Sequence, residues 1–178
     1  MKVLLVVGHT EQKFGAYNKD LDVTEFGLNM AEAKRVKEIL DDESIDIKSG
    51  IVFRDTYAGL PKKINSIGAD FIISFHHNSF SETSTGTETL YYHSSKKGKH
   101  LAEVIQKNII NALGYRDRGI KPKDVEDRGG YVLKYTYAPC IIVEPCFMSN
   151  TTELKDFISK QDTYCKAIVA GIKEFINT

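Results

Sequence analysis

Apolar residues fall into short runs and helical stripes that alternate along the chain. Residues 2–8 hold an unbroken apolar run from Val3 to Val7, ended by Gly8. That is the pattern of a strand buried on both faces. The period then changes. Phe26, Met30, Ala33, Val36 and Leu40 recur at helical spacing and predict one face of a helix, with Thr24 as its N-cap. Strands are predicted near residues 51–54, over 70–76 (Phe71, Ile72, Ile73, Phe75) and over 87–93, which is rich in Thr and Tyr. Residues 60–67 read as a short helix. Leu101, Val104, Ile105, Asn108, Ile109 and Ala112 form a second long helical face, closed by Gly114. Residues 131–134 and 140–143 read as two more strands. Asn150 with Glu153 resembles a capping box. Asp162 is placed to cap a last helix, whose face runs Tyr164, Ile168, Ile172 and Phe175 or Ile176.

Strands alternating with helices predict an α/β sandwich with a largely parallel sheet. The composition agrees. The chain has 178 residues, 42% hydrophobic and 27% charged, close to the globular average. No repeat, linker or charge block divides it, so residues 1–178 read as one domain. Lys+Arg and Asp+Glu are 24 each, so the net charge is zero. That lacks the basic excess of a nucleic-acid binder, and none is expected as a partner. The longest purely apolar run, residues 3–7, is far below the roughly 20 residues of a membrane span. It is also shorter than the h-region of a secretory signal, so the chain is expected to be made in the cytoplasm without a signal peptide. Cys140, Cys146 and Cys165 are odd in number and lie in or beside apolar stretches. They read as reduced, buried thiols rather than a disulfide framework.

In such sheets functional groups gather beyond the carboxyl ends of the strands. Several polar residues sit at those ends. His9 follows the first strand, His76 and His77 end the third, Glu144 ends the run 140–143, and Glu25 opens the first long helix. Two histidines and a carboxylate form the ligand set of many catalytic zinc sites, and a further carboxylate could move the proton. Glu144 precedes Pro145 and follows three apolar residues, so it is expected to be buried and in need of a partner. Each residue also has a plainer reading: a turn after the strand for His9, a solvated strand end for the His pair, a helix-dipole acid for Glu25.

The motifs favour the chemical reading. Val6-Val7-Gly8-His9, Val23-Thr24-Glu25-Phe26-Gly27-Leu28-Asn29, Ile73-Ser74-Phe75-His76-His77-Asn78-Ser79, Gly86-Thr87-Glu88-Thr89-Leu90-Tyr91-Tyr92 and Val143-Glu144-Pro145-Cys146-Phe147-Met148-Ser149-Asn150 occur in this order. In these stretches the chain resembles the zinc-dependent N-acetylmuramoyl-L-alanine amidases of the amidase 3 type, found in phage endolysins and bacterial cell-wall hydrolases. The resemblance covers nearly the whole chain. It implies a three-layer α/β sandwich whose twisted, mostly parallel sheet has about six strands flanked by helices. It implies His9, Glu25 and His76 as ligands of Zn2+, Glu144 as the catalytic residue, and Asn78 beside the ligands or against the substrate. It leaves no separate cell-wall-binding domain.

The function so implied is hydrolysis of the amide between the lactyl group of N-acetylmuramic acid and L-alanine in peptidoglycan. Two neutral histidines and one Glu leave a divalent ion a net positive charge, suited to a developing oxyanion. The enzyme is expected to act as a monomer on the cell wall after holin-type release, without membrane insertion. The chain departs from the family at Thr10, Leu60, His77 and Cys146, none of them a proposed ligand. His77 raises a question of register, since a one-residue shift would exchange the faces of the two histidines. The rival readings are a zinc amidohydrolase or peptidase for another amide, a non-catalytic peptidoglycan-binding module, and a cysteine hydrolase built on Cys146.

Overall fold

The first apolar run becomes β1 (Lys2–Val7), and its two faces feed two different cores. Val3, Leu5 and Val7 point to one side of the sheet, Leu4 and Val6 to the other. This double burial is why the run carries no polar alternation. The structure, a computed structural model, describes residues 1–42 and 47–178.

After β1 comes a small antiparallel ribbon, β2 (Tyr17–Asn18) with β3 (Val23–Thr24). It leads into α1 (Glu25–Asp42), and Thr24 Oγ1 accepts from Gly27 N–H, the predicted N-cap. The chain continues through β4 (Lys48–Phe53), α2 (Leu60–Ile67), β5 (Phe71–Phe75), β6 (Thr87–Tyr92) and α3 (Lys96–Leu113), which ends on Gly114 at φ 69°. Next are β7 (Asp117–Lys123), α4 (Gly130–Tyr135), β8 (Cys140–Glu144), α5 (Thr151–Ser159) and α6 (Gln161–Ile176).

Among the described residues, six of these strands form one sheet in the order β4-β1-β5-β8-β6-β7. The first four run parallel. β6 pairs with β8 antiparallel, and β7 then follows β6 in parallel. Helices α1, α3, α5 and α6 cover one face, on Val3, Leu5, Phe71, Ile73 and Ile141. Helices α2 and α4 cover the other, on Leu4, Val6, Ile72, Leu90 and Ile142. This is the expected α/β sandwich with helices on both faces, although the sheet is mixed.

Two elements differ from the sequence reading. Residues 131–134 are not a strand but most of α4. Val132 and Leu133 are adjacent, yet both are buried against the same core. A strand would send them to opposite faces, whereas a helix does not. The sixth strand is instead β7. Its sequence shows no alternation and contains Pro122, features tolerated because β7 is an edge strand. Asp162 is not a cap either. It sits inside the first turn of α6 and pairs with Arg35 (2.7 Å) and Lys166 (2.7 Å). The capping box at α5 is half present. Asn150 Oδ1 accepts from Glu153 N–H, but the Glu153 carboxylate turns away to accept from the N–H groups of Gly86 and Phe147.

Ile73 lies fully buried between Leu5 and Ile141 at the centre of the sheet. Ile73→Ala is expected to cost about 2–5 kcal/mol of unfolding free energy. Urea titration should show a lower midpoint with an unchanged m-value.

Candidate metal centre and cleft

Alternation along the strands sorts the polar residues at the sheet edge. His76 continues the parity of Ile72 and Ser74, so it faces the side of α2 and α4. Glu144 continues the parity of Cys140 and Ile142 and faces the same side. His77 continues that of Ile73 and Phe75 and faces the other core. The register question raised by the two adjacent histidines is thus answered by the strand period.

Three side chains meet at this edge. His9 follows β1 with a left-handed backbone, φ 68°, an unusual conformation for a residue with a side chain. Glu25 is the first residue of α1, and its N–H is held by the Ala16 carbonyl at 2.9 Å. Its carboxylate is 1% exposed. Oε1 lies 3.0 Å from His9 Nε2 and 3.0 Å from His76 Nδ1. Oε1 also accepts from His77 N–H (3.1 Å), and Oε2 accepts from Ala16 N–H (3.1 Å).

Glycines make room for this convergence. A Cβ on Gly8 would lie 2.5 Å from the His76 ring, and one on Gly15 would lie 2.5 Å from Glu25 Oε2 and 2.8 Å from the His9 ring. The ligand atoms of His9, Glu25 and His76 all fall within 4.8 Å of one another, close enough to hold one metal ion. A cation fits the donor chemistry as well. His9 Nε2 is buried, and despite its nearness to Oε1 it has no hydrogen-bond partner among the described residues. A lone pair left unmatched in this way is what a metal would satisfy. Burial pushes the Glu25 carboxyl up, but the hydrogen bond with His76 and the His9 imidazole beside it outweigh burial and hold the group well below the usual carboxylate range. Burial lowers the pKa of His76. Both groups are therefore in the unprotonated form that a metal requires.

His77 belongs to a different network. Its Nδ1 lies 3.1 Å from Asn29 Oδ1, its Nε2 lies 3.2 Å from Glu32 Oε1, and its ring packs edge-on against Phe157. Burial opposes its charge, but Glu32 raises its pKa well above the usual value. Asn29 Nδ2 donates to Gly8 O at 3.2 Å, so this buried group braces the backbone just before His9. Cys146 lies in the same core, and burial raises its thiol pKa. It is away from the cleft and in the unreactive form, which removes the structural basis of a cysteine hydrolase.

Glu144 is 5% exposed. Burial raises its pKa to about 7, Arg128 opposes the shift, and Glu88 and Glu25 add to it. Glu88 is the residue the sequence reading left without a role. It stands directly across from Glu144 because β6 runs antiparallel to β8. The G-x-E-x-x-Y-Y stretch contained it, but only the strand direction reveals the pairing. Glu88 accepts from Arg118 Nε (2.6 Å) and from Asn78 Nδ2 (2.9 Å). Asn78 is thus spent on Glu88 rather than on the three-residue cluster.

A cavity of about 180 Å³ opens over the cluster on the α2/α4 side, with His9, His76, Glu144, Leu60, Arg54 and Arg128 among its walls. A larger groove of about 660 Å³ runs between Tyr17 and Phe80, but it contains none of the clustered ligands and not Glu144. The smaller cavity holds the chemistry: a place for a metal and a protonatable carboxyl facing the same space.

The pattern that defines the family described as N-acetylmuramoyl-L-alanine amidase matches residues 3–174. Over 174 residues the chain is 33% identical to N-acetylmuramoyl-L-alanine amidase LytC of Bacillus subtilis (strain 168), covering 92% of this chain and 33% of that protein. The chain thus spans about a third of the length of this relative. The crystal structure of N-acetylmuramoyl-L-alanine amidase from Clostridium difficile 630 superposes with a TM-score of 0.91 at 26% identity, covering 99% of this chain and 97% of that one. The catalytic domain of CwlV, N-acetylmuramoyl-L-alanine amidase from Bacillus (Paenibacillus) polymyxa var. colistinus, superposes at 0.83 with 28% identity, covering 99% and 98%.

In metal-free protein the Glu144 carboxyl is expected to titrate at about pH 7. Glu88→Gln should move that midpoint to lower pH, because the like charge across from it is lost. Carboxyl-carbon NMR reads it directly, and a midpoint near the ordinary 4.5 in the parent protein would contradict the burial argument. The raised value also favours folding when Glu144 is protonated. Its contribution to stability is full below the unfolded-state pKa and fades as pH rises through about 7.

Proposed function

The chain belongs to the N-acetylmuramoyl-L-alanine amidase family, and from that premise we propose that it hydrolyses, with zinc, the amide between the lactyl group of N-acetylmuramic acid and L-alanine in peptidoglycan. One observation carries the reading. His9 and His76, clustered on the buried Glu25 carboxylate, and the pKa-raised Glu144 face one cavity.

His9, Glu25 and His76 are the proposed ligands, and a nitrogen and oxygen donor set suits zinc. When bound, the metal supplies Lewis acidity, polarising the amide carbonyl and making water at the site easier to deprotonate. Glu144 takes a proton from the water that attacks the carbonyl carbon. As the C–N bond breaks, Glu144 gives a proton to the departing nitrogen, leaving a lactyl carboxylic acid and a free L-alanine amine. A pKa near neutrality suits a group that must do both. Asn78 serves this scheme by holding Glu88 beside Glu144. The proposed place of action is the bacterial cell wall.

Purified protein that has met no chelator is expected to carry about one zinc per chain, and His76→Ala to carry none, by elemental analysis. If the parent neither contains zinc nor takes it up, the metal-dependent reading is wrong. Glu144→Gln should retain metal and fold yet lose about 10²–10⁴-fold in turnover. Digested peptidoglycan should gain new L-alanine amino termini and no reducing sugar ends. New termini at another residue would assign the chemistry to a peptidase instead.

A further inference from the structure

Two guanidiniums, Arg54 and Arg128, stand on the cavity wall, and Arg128 acts on the neighbouring Glu144 through charge alone. Arg54 directly follows β4, at the same carboxyl edge as His9 and His76. Arg128 comes from the turn ahead of α4 and lines the same cavity. Among the described residues neither side chain makes an ion pair or hydrogen bond, whereas Arg35 and Arg118 are both paired.

The acids directly beside them in the chain, Asp55 and Asp127, are each engaged elsewhere. Asp55 is taken by Lys63 Nζ (2.9 Å), which also donates to Phe53 O (2.9 Å) and so pins the backbone on both sides of Arg54. Asp127 Oδ2 accepts from Asp124 N–H (2.8 Å), and Asp124 Oδ1 accepts from Val125 N–H (2.7 Å). These bonds close the turn that presents Arg128. The turn is further fixed by Gly129 and Gly130. A Cβ on the first would lie 2.6 Å from Ile142 Cδ1, and one on the second 1.7 Å from the Asp124 carbonyl oxygen. Both arginines are therefore held on short, braced segments. The one acid on the cavity wall is Glu144, which burial disposes toward its neutral form. Two guanidiniums free of ion pairs thus line the cavity, and their planar forks of donors suit a planar anion.

We propose that Arg54 and Arg128 form a carboxylate-binding subsite for the acidic residue that follows L-alanine in the stem peptide. This deepens the amidase reading and rests on it. The subsite makes the enzyme distinguish stems whose carboxyl at this residue is free from stems in which it is amidated. An amide offers the guanidiniums no charge and places an N–H donor against donors.

The test uses N-acetylmuramoyl-L-alanyl-D-glutamate and N-acetylmuramoyl-L-alanyl-D-isoglutamine, which differ only in that carboxyl. Binding is measured by calorimetry on Glu144→Gln protein, and kcat and KM on protein with Glu144 intact. The acid is expected to bind about tenfold or more tightly than the amide. Arg54→Gln and Arg128→Gln should each reduce that ratio, and the double variant should bring it to about one, through KM rather than kcat. Arg128→Lys, which keeps the charge but loses the fork, should retain part of the preference. Equal binding of the two ligands by the parent overturns the subsite, as does an equal loss on both ligands in the variants. A fall in kcat alone also overturns it, since that would place the arginines on the reacting carbonyl. If the parent prefers the acid but cleaves neither ligand, the subsite stands and the amidase reading falls. If it cleaves both equally well, the reverse holds.

Discussion

The Glu25 carboxylate is the point on which the site depends. It is almost wholly buried, and a buried carboxylate left alone would protonate or destabilise the fold. Here two imidazoles and two backbone N–H groups surround it. The four partners come from three stretches of chain. His9 follows β1, Ala16 belongs to the segment before the ribbon, and His76 and His77 end β5. The charge thus ties the first helix to the neighbouring strands β1 and β5. Removing a partner would leave an uncompensated charge, the costly way to break such a cluster. Among the described residues the same arrangement leaves His9 Nε2 without a hydrogen bond, a donor atom open to a cation.

Strand alternation then divides the labour between adjacent residues. His76 opens onto the cavity, while His77 is enclosed with Asn29, Glu32 and Cys146 on the other side. The buried network is not idle, since Asn29 reaches the Gly8 carbonyl beside His9. A polar group in one core thereby steadies a chemical group facing the other. The antiparallel entry of β6 adds a second device. It brings Glu88 opposite Glu144, adding a like charge to the burial that raises the Glu144 pKa.

Much of this was legible in the sequence. The apolar runs of β1, β5 and β8 announced buried strands, and strand ends followed by His or Glu marked the edge where His9, His76 and Glu144 converge. What escaped was what tertiary packing decides. The stretch 131–134 is too short to reveal a period, and only the shared burial of Val132 and Leu133 shows a helix. β7 carries Pro122 and little apolar pattern, and only its place beside β6 makes it a strand. Glu88 was visible in a motif but mute, because its role comes from strand direction. The arginines gave no local signal, since being unpaired is a property of the folded chain.

The placement of the three cysteines carries a practical corollary. Cys140, Cys146 and Cys165 are free and buried, and burial raises the pKa of each thiol, that of Cys140 to about 12. None lies at the cluster of His9, Glu25 and His76, so soft sulfur ligands do not compete there for the ion. In the native state the sulfurs are also closed to electrophiles, which need a thiolate and an open path. Alkylation of this protein is then a clock for the opening of its interior: each modified cysteine records a moment when the sandwich came apart.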